Sequence, residues 1–356
     1  MRDVKTISYG EAIREALDDG LAQYPEMILI GEGVPDPKNI FATTEGLREK
    51  YGAERVLDMP LSENGMTGIC IGAALGGMRP VLVHQRIDFA LLSVDQIVNN
   101  AAKWCYMFDG LQCVPLVIRV IIGRGWGQGP QHSQSLQAMF AQVPGLRVVM
   151  PTTANDAYHF MLDAIADNNP VLFIEHRWLH HINGEVDKDR SRDQLVGAAV
   201  LREGRDITLA AFSQMTIEAL KAAAVLAEHG IEAEVVDMRC LTPLDTDSVA
   251  ESIGKTGLLL VADCAPEMAS IAHNLLSKLF LSHYGMMRQP PRLIAYPNHP
   301  VPTSPFIANH YYPGAEEIAE AALEMLDKRP LTQTVKAKLQ SDLAKDLPDR
   351  SFAGPF

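Results

Sequence analysis

The chain has 356 residues, a formal net charge of −13 and a mean hydropathy of +0.00. Hydrophobic residues make up 47% and charged residues 21%, a balance typical of globular proteins long enough for two domains. The negative charge, without clustered Lys and Arg, argues against a nucleic-acid partner. No apolar run approaches the roughly 20 residues that span a bilayer, and the N-terminus is too polar for a signal peptide. These features predict a cytoplasmic protein.

The cysteines point to the same compartment. There are five, an odd number without the spacing of a metal site or a CxxC pair: Cys70, Cys105, Cys113, Cys240 and Cys264. We therefore expect reduced, mostly buried thiols and no metal site built from them.

The N-terminal elements begin with a helix over residues 8–23, in which Ser8 and Glu11 have the spacing of a capping box. A short buried strand follows over residues 27–31, and then a Gly- and Pro-rich loop. Residues 57–83 read as the end of a strand, a polar corner with Glu63, a helix rich in small residues, and a second strand. Gly68, Gly72 and Gly76 share one face of that helix, which indicates close approach of another backbone.

The next elements continue this alternation. An amphipathic helix is predicted from near Asp88, a strand over 114–120, a strand over 146–151, a helix over 154–167 and a strand over 171–176. A glycine-rich loop between Gly123 and Gly129 ends in a polar cluster with His132, and it forms either a mobile surface segment or a lid over a site. The alternation predicts a parallel sheet covered by helices on both faces.

Beyond residue 182 the apolar periodicity is lost and then resumes. The sequence predicts a first domain over 1–182, a linker over 183–198, a smaller doubly wound domain over 199–330, and a polar C-terminal tail over 331–356. The fold class is therefore α/β with two doubly wound domains.

Glu63 is the strongest candidate for chemistry on the residues alone. A lone carboxylate at the mouth of an apolar, closely packed element is a typical position for an acid that handles protons. The alternative is a surface glutamate in front of a tightly packed core helix, and the residue pattern leaves both interpretations open.

Several ordered blocks resemble one family. The runs PLSENG and GAALGGMRPV are similar to the β subunit of the thiamine-diphosphate-dependent 2-oxoacid dehydrogenases, and further blocks extend the likeness from about residue 8 to residue 324: DFALLSVDQIVNNAAKW, PLVIR, QHSQS, PGLRVVMPTT, DNNPVLFIEH, EVVDMRCLTPLD and VPTSPFIANHYYP. The resemblance implies a thiamine-diphosphate pyrimidine-binding domain followed by a transketolase C-terminal domain. It also implies oxidative decarboxylation of a 2-oxoacid, of pyruvate or branched-chain type, with acyl transfer to a lipoyl group.

The resemblance also assigns residues. Glu63 is implied to contact N1′ of the cofactor's aminopyrimidine, and His132 is implied to be a donor near the substrate or the lipoyl sulfur. The other implied cofactor-binding residues are Arg86, Phe89 and Gln131. Arg86 stands where many relatives carry an aromatic ring, and Gly33 stands where an acidic residue is usual.

A potassium site is implied in the same way, with oxygens from Leu116, Ala164, Ile165, Asp167 and Asn169. A second metal site in the run HRWLHH is not favoured, because its histidines lack acidic partners at suitable spacing.

The resemblance implies partners as well. The chain lacks the GDG-plus-asparagine motif that holds magnesium and diphosphate, so an α subunit is expected to supply that half of the site. A β dimer, a heterotetramer with two α subunits, and a lipoyl-bearing acyltransferase complete the expected assembly. Two alternatives remain open: one half of a split transketolase or acyloin-type carboligase, and a non-catalytic assembly subunit.

Overall fold

The computed structural model describes residues 4–36, 40–124, 127–189, 195–341 and 343–347. These residues form two compact units. The first contains residues 4–123 and 139–195, and the second contains residues 124–138 and 196–347. Among the described residues, no helix is long and apolar enough to cross a membrane.

The first unit is built around a parallel sheet. The strands of the first unit are β1 Val4–Ser8, β2 Met27–Gly31, β3 Val56–Leu57, β4 Arg79–His84, β5 Val117–Ile122, β6 Arg147–Val149, β7 Val171–His176 and β8 Asn183–Asp187, of which β1 and β8 form a separate two-stranded sheet. In the sheet, β6, β7, β5, β4, β2 and β3 lie side by side in that order, all parallel. Every residue of β2, β5 and β7 is buried, as expected for a sheet covered on both faces.

Helices of the first unit are α1 Tyr9–Gln23, α2 Leu47–Tyr51, α3 Glu63–Leu75, α4 Ile87–Ala90, α5 Ala102–Met107, α6 Gln137–Ala141 and α7 Ala154–Ala166, with α6 extending across the division between the units. The predicted capping box starts α1: Ser8 Oγ accepts from Glu11 N at 3.2 Å, and Glu11 Oε2 accepts from Ser8 N at 2.8 Å. Gly20 allows α1 to approach α7, because a Cβ there would lie 2.8 Å from the Ile165 side chain.

The helix predicted from Asp88 is broken. A 3-10 turn over Leu91–Ser93 and a π-helical segment over Gln96–Ala101 separate α4 from α5. No Pro or Gly marks these irregularities, so hydrophobic periodicity alone does not reveal them.

The second unit has a smaller sheet. The strands of the second unit are β9 Ala199–Arg202, β10 Ile207–Ala211, β11 Ala233–Asp237, β12 Cys240–Thr242, β13 Leu259–Pro266 and β14 Arg292–Tyr296, and all of them except β12 belong to this sheet. The sheet order is β14, β13, β10, β11, β9; the first four are parallel, and β9 is an antiparallel edge strand. The helices are α8 Gln214–Ala227, α9 Asp247–Thr256, α10 Ile271–His283, α11 Pro305–Tyr311, α12 Ala315–Met325 and α13 Thr332–Leu339. This architecture confirms the fold class predicted from the sequence.

Two features differ from expectation. The segment 183–198, predicted as a linker, contains β8, which pairs antiparallel with β1. The expectation of five reduced cysteines is wrong for Cys105 and Cys113, which form a disulfide with Cα atoms 4.4 Å apart, while Cys70, Cys240 and Cys264 are buried, as expected. In both cases the partner lies outside the local pattern: β8 pairs with the N-terminal strand, and the disulfide closes a turn rather than a CxxC motif.

Candidate active site

Glu63 is the first residue of α3, and only 8% of it is exposed. The Thr67 hydroxyl donates to the Glu63 backbone oxygen at 2.7 Å and also contacts Ser93 Oγ at 3.0 Å. The first turn of α3 is therefore tied to the neighbouring 3-10 turn. Glu63 is a buried carboxylate on a fixed helix end, which disagrees with the surface-glutamate alternative.

Glu32 is the acidic neighbour of Glu63. It directly follows β2, and its pKa is raised first by burial and then by the negative charges of Glu63 and Asp58. Its Oε1 atom is buried and has no hydrogen-bond partner among the described residues. The first unit thus holds two carboxylates close enough to repel each other.

Glu32 also lines a small cavity. The space is a cleft of about 160 Å³, including space open to solvent and too narrow for a water molecule, and its other walls are Met59, Val83, His84, Gln85 and Phe89. Gln85 Nε2 donates to the Glu32 backbone oxygen at 3.0 Å, which fixes one polar wall. The cavity therefore combines a carboxylate, an aromatic ring and a thioether.

His84 adds a neutral imidazole to this cavity. It ends β4 and is 2% exposed, and burial lowers its pKa to about 4. Its Nε2 atom is buried without a hydrogen-bond partner in the described part of the chain. At neutral pH the ring is uncharged and offers one unsatisfied polar atom to the cavity.

Sequence reasoning missed Glu32 and His84, although a signal was present. Both lie at the carboxyl ends of adjacent parallel strands, since Gly31 of β2 is paired with Val83 of β4. Ligands of open α/β sheets bind at such ends.

Of the cofactor-binding residues predicted from the sequence, Phe89 and Arg86 lie in the first unit. Phe89 lines the cavity beside Glu32. Arg86 directly precedes α4 and does not line the cavity; burial lowers its pKa, and the charge of Asp88 opposes this effect.

Gln131 and His132 belong to the second unit. Gln131 lines a groove enclosing about 760 Å³, including space open to solvent, together with Ser133, Ser135, Tyr296, His299 and Tyr311. His132 is half-buried between the lining residues Gln131 and Ser133. The groove is mostly apolar, since Pro130, Leu136, Pro266, Pro300 and Val301 also line it, and hydroxyl and amide groups are set among these residues.

The predicted potassium ligands surround the end of α7. Arg79 Nη1 donates to the carbonyl oxygens of Ile165 at 3.0 Å and Asp167 at 3.2 Å. The Asp167 carboxylate pairs with Arg147 Nε at 2.9 Å and accepts from Asn169 N at 2.9 Å. Leu116 O accepts from Val171 N at 2.9 Å. Two guanidinium groups thus already supply positive charge at the predicted site.

The last part of the histidine run contributes His180 to a buried ion-pair network. Arg119 Nε donates to Glu175 Oε1 at 2.6 Å, and His180 Nε2 lies 2.9 Å from Glu175 Oε2. All three side chains are almost completely buried. No cluster of His, Cys, Asp and Glu suited to a metal ion occurs among the residues that the structure describes.

Two family models match this chain. Transketolase, pyrimidine binding domain, matches residues 5–181, and transketolase, C-terminal domain, matches residues 197–318. Together they cover both sheets described above.

Curated relatives match over nearly their whole length. The acetoin:2,6-dichlorophenolindophenol oxidoreductase subunit β of Cupriavidus necator is 40% identical, covering 89% of this chain and 97% of the relative. The subunit of the same name from Bacillus subtilis is 37% identical, covering 92% and 99%. The mitochondrial pyruvate dehydrogenase E1 component subunit β-2 of Oryza sativa subsp. japonica is 35% identical, covering 89% and 86%.

A solved chain described as a split gene transketolase, inactive beta4 tetramer, has the same fold. Its TM-score is 0.72 at 22% identity, and the match covers 91% of this chain and 99% of that one.

Proposed function

This chain belongs to the transketolase-like family that includes the β subunits of pyruvate dehydrogenase E1 and acetoin oxidoreductase, and from this premise we propose its function. We propose that it is the β subunit of a thiamine-diphosphate-dependent 2-oxoacid dehydrogenase. Its role is the oxidative decarboxylation of a 2-oxoacid, with acyl transfer to a lipoyl group. The observation that carries the proposal is the buried Glu63 at the start of α3, electrostatically coupled to Glu32 in the wall of a cavity.

The walls of this narrow cavity have the chemistry to contact the aminopyrimidine end of thiamine diphosphate, although in this chain alone the space is too narrow to hold the ring. Such a ring has apolar faces and nitrogen-bearing edges, and Phe89 and Met59 offer apolar contacts while Glu32 Oε1 and His84 Nε2 are buried polar atoms without partners in the described structure. Unsatisfied buried polar atoms are rare in native proteins, and a bound ligand is one way to complete them. When bound, the cofactor supplies the electron sink for cleaving a bond next to a carbonyl group.

Glu63 is assigned to hold a proton at N1′ of that ring. A carboxylate does this best where water is excluded and its backbone is fixed, and Glu63 is buried and anchored through Thr67. The charge of Glu63 adds to burial in raising the pKa of Glu32, which favours retention of a proton on Glu32.

His132 and Gln131 are assigned to the substrate side. Their segment borders a mostly apolar groove with hydroxyl and amide groups among its walls, which suits an incoming lipoyl arm and a small substrate with polar groups. An imidazole there offers such a substrate both a hydrogen-bond donor and an acceptor.

An α subunit is needed to complete the site, because the chain lacks the motif for magnesium and diphosphate. The exposed face of α3 supports such a partner. Gly72 is exposed and a Cβ there would meet no atom within 4 Å, while Ile69 on the same face is 60% exposed. Gly72 therefore serves no close approach within the described part of this chain, so we assign the approach at this position to another subunit. A cytoplasmic heterotetramer of two α and two β chains, served by a lipoyl-bearing acyltransferase, is the proposed assembly.

Acetoin is a second candidate substrate, favoured by the two relatives named as acetoin oxidoreductase subunits. The test is co-expression with the α-type protein encoded nearest to this chain. The purified pair is assayed for dye reduction with 2,6-dichlorophenolindophenol on pyruvate, branched-chain 2-oxoacids and acetoin, with and without thiamine diphosphate.

In this assay, Glu63→Gln is expected to lower the rate by at least about two orders of magnitude, since loss of a positioned proton-transfer group typically costs that much. Glu45→Gln, at an exposed position of the same unit, is the matched control and should keep the wild-type rate. A well-folded pair that acts on none of these substrates, or a Glu63→Gln variant with full activity, would overturn the proposal.

A further inference from the structure

The segment that carries Gln131 and His132 has a defined attachment in the second unit. Gly127 and Gly129 both have left-handed φ angles, 66° and 69°, and added Cβ atoms would lie 3.1 Å and 2.8 Å from Thr303 atoms. The backbone thus approaches Thr303 so closely that only glycine fits. The two flanks of the segment are marked by Arg124 and Gln137.

Gln137 makes a buried contact with the end of strand β13. It is 1% exposed, and its Nε2 donates to Asp263 Oδ1 at 3.2 Å. The same amide nitrogen lies 3.8 Å from Cys264 Sγ. Asp263 is itself fully buried, and its Oδ2 accepts from Ala272 N, at the start of α10, at 3.4 Å. One carboxylate therefore joins the segment, the sheet and a helix.

The other flank is fixed by an arginine. The Arg124 guanidinium lies over the Tyr312 ring, 4.2 Å from its centroid, and Nη1 lies 3.4 Å from the Tyr296 hydroxyl. Tyr296 also lines the groove beside Gln131. Both ends of the segment are thus anchored on groups of the second unit.

The groups that donate hydrogen bonds to the Asp263 carboxylate are uncharged. Burial raises its pKa to about 6, and the hydrogen bonds from Ala272, Gln137 and the Cys264 backbone act in the opposite direction. A buried carboxylate needs every donor within reach, so the Gln137 amide is held strongly in place.

We infer that Gln137 and Asp263 are positioning residues, whose buried hydrogen bond fixes the Gln131–His132 segment in the conformation that forms the groove. The catalytic consequence rests on the proposed function, but the structural one does not. Neither residue lines the cavity beside Glu32, so they are expected to affect the segment alone.

The test measures amide hydrogen exchange across residues 127–136 in the full-length chain. Asp263→Asn is isosteric, and its amide cannot accept from Gln137 Nε2 and Ala272 N at once, so one hydrogen bond is lost. The variant should remain folded, because it also removes a buried charge. Exchange in the segment is expected to rise roughly tenfold, the factor that corresponds to losing one hydrogen bond to a charged group.

Asp237→Asn is the matched control. Asp237 is a fully buried carboxylate at the end of β11, another strand of the same sheet, where it accepts from Thr216 Oγ1 at 2.9 Å. Its substitution should leave exchange in residues 127–136 unchanged. Gln137→Leu breaks the contact from the other side and should reproduce the effect of Asp263→Asn. Unchanged exchange in both of these variants, or an equal rise in Asp237→Asn, overturns the inference.

The same variants are then assayed with the α subunit. We expect Asp263→Asn to lower kcat roughly tenfold while leaving the KM for thiamine diphosphate unchanged, since the cavity lies outside the segment. A purely structural defect would change both constants together. If the wild-type pair is inactive, the proposed function fails while the exchange result still decides the inference.

Discussion

The charge of Glu63, at the start of α3, raises the pKa of Glu32, which directly follows β2. Burial is the largest cause of the raised pKa of Glu32, and the Glu63 carboxylate is the next. The two residues are far apart in the sequence, yet they lie close enough in the first unit for one to change the protonation of the other.

Glu63→Gln is therefore expected to lower the pKa of Glu32 toward its usual range without restoring it fully, because the burial remains. The measurement is a ¹³C NMR titration of glutamate side-chain carboxyls. Asp58→Asn should produce a smaller shift, since Asp58 is the weaker of the two charged neighbours. Glu45→Gln should produce none. A Glu32 titration that is identical in wild type and Glu63→Gln would contradict the coupling.

The sequence predicted most of the scaffold because its regular elements carry local signals. The capping box of Ser8 and Glu11 and the apolar runs of β2 and β7 lie where the periodicity placed them. The site was predictable only in part. Glu63 stands out as a lone carboxylate in an apolar run, whereas the relevance of Glu32 and His84 arises from the pairing of β2 with β4, which no local pattern contains.

The same limit explains the buried ion pair of Arg119 and Glu175. Each residue interrupts an apolar strand, and the register of β5 beside β7 places them on adjacent strands. The sequence shows two charges in the core but not that they neutralise each other.

His84 should make the protein sensitive to acid. Its pKa in the folded state is about 4, below the ordinary value of 6.5, so the unfolded chain binds the proton more tightly between these values. Its contribution to stability is present above pH 6.5 and is lost as the pH falls toward 4. The shift corresponds to about 3 kcal/mol at most.

His84→Gln should therefore flatten the loss of stability across this window. The measurement is the denaturant midpoint at pH values on either side of it. His273→Gln, at an exposed histidine, is the control and should retain the wild-type profile. A His84→Gln variant as acid-sensitive as wild type would show that other groups control this window.

The end of α7 is expected to respond to potassium. Carbonyl oxygens have two lone pairs, so Ile165 and Asp167 are able to serve an ion while accepting from Arg79. Thermal midpoints in KCl should exceed those in choline chloride at equal ionic strength. Arg79→Met should enlarge the difference, because the freed carbonyls then lack a cation. Equal thermal midpoints in KCl, NaCl and choline chloride would contradict the prediction. They would mean that Arg79 alone satisfies these carbonyl oxygens and that no potassium ion binds there.

Glu175→Gln is expected to destabilise the first unit by about 3–5 kcal/mol, because it leaves Arg119 as a buried charge without its partner. Burial raises the pKa of Glu175, but the charge of Arg119 and the bonds from His180 and Arg119 outweigh it and lower the value to about 2. The contribution of the ionised Glu175 to stability is thus present above pH 4.5 and is lost as the pH falls toward 2.

Urea unfolding at neutral pH measures the loss of stability in Glu175→Gln. Glu232→Gln, which breaks a partly exposed pair with Arg202, should cost at most about 1 kcal/mol. Similar losses of unfolding free energy in Glu175→Gln and Glu232→Gln would mean that burial of the ion pair does not determine how much its loss destabilises the protein.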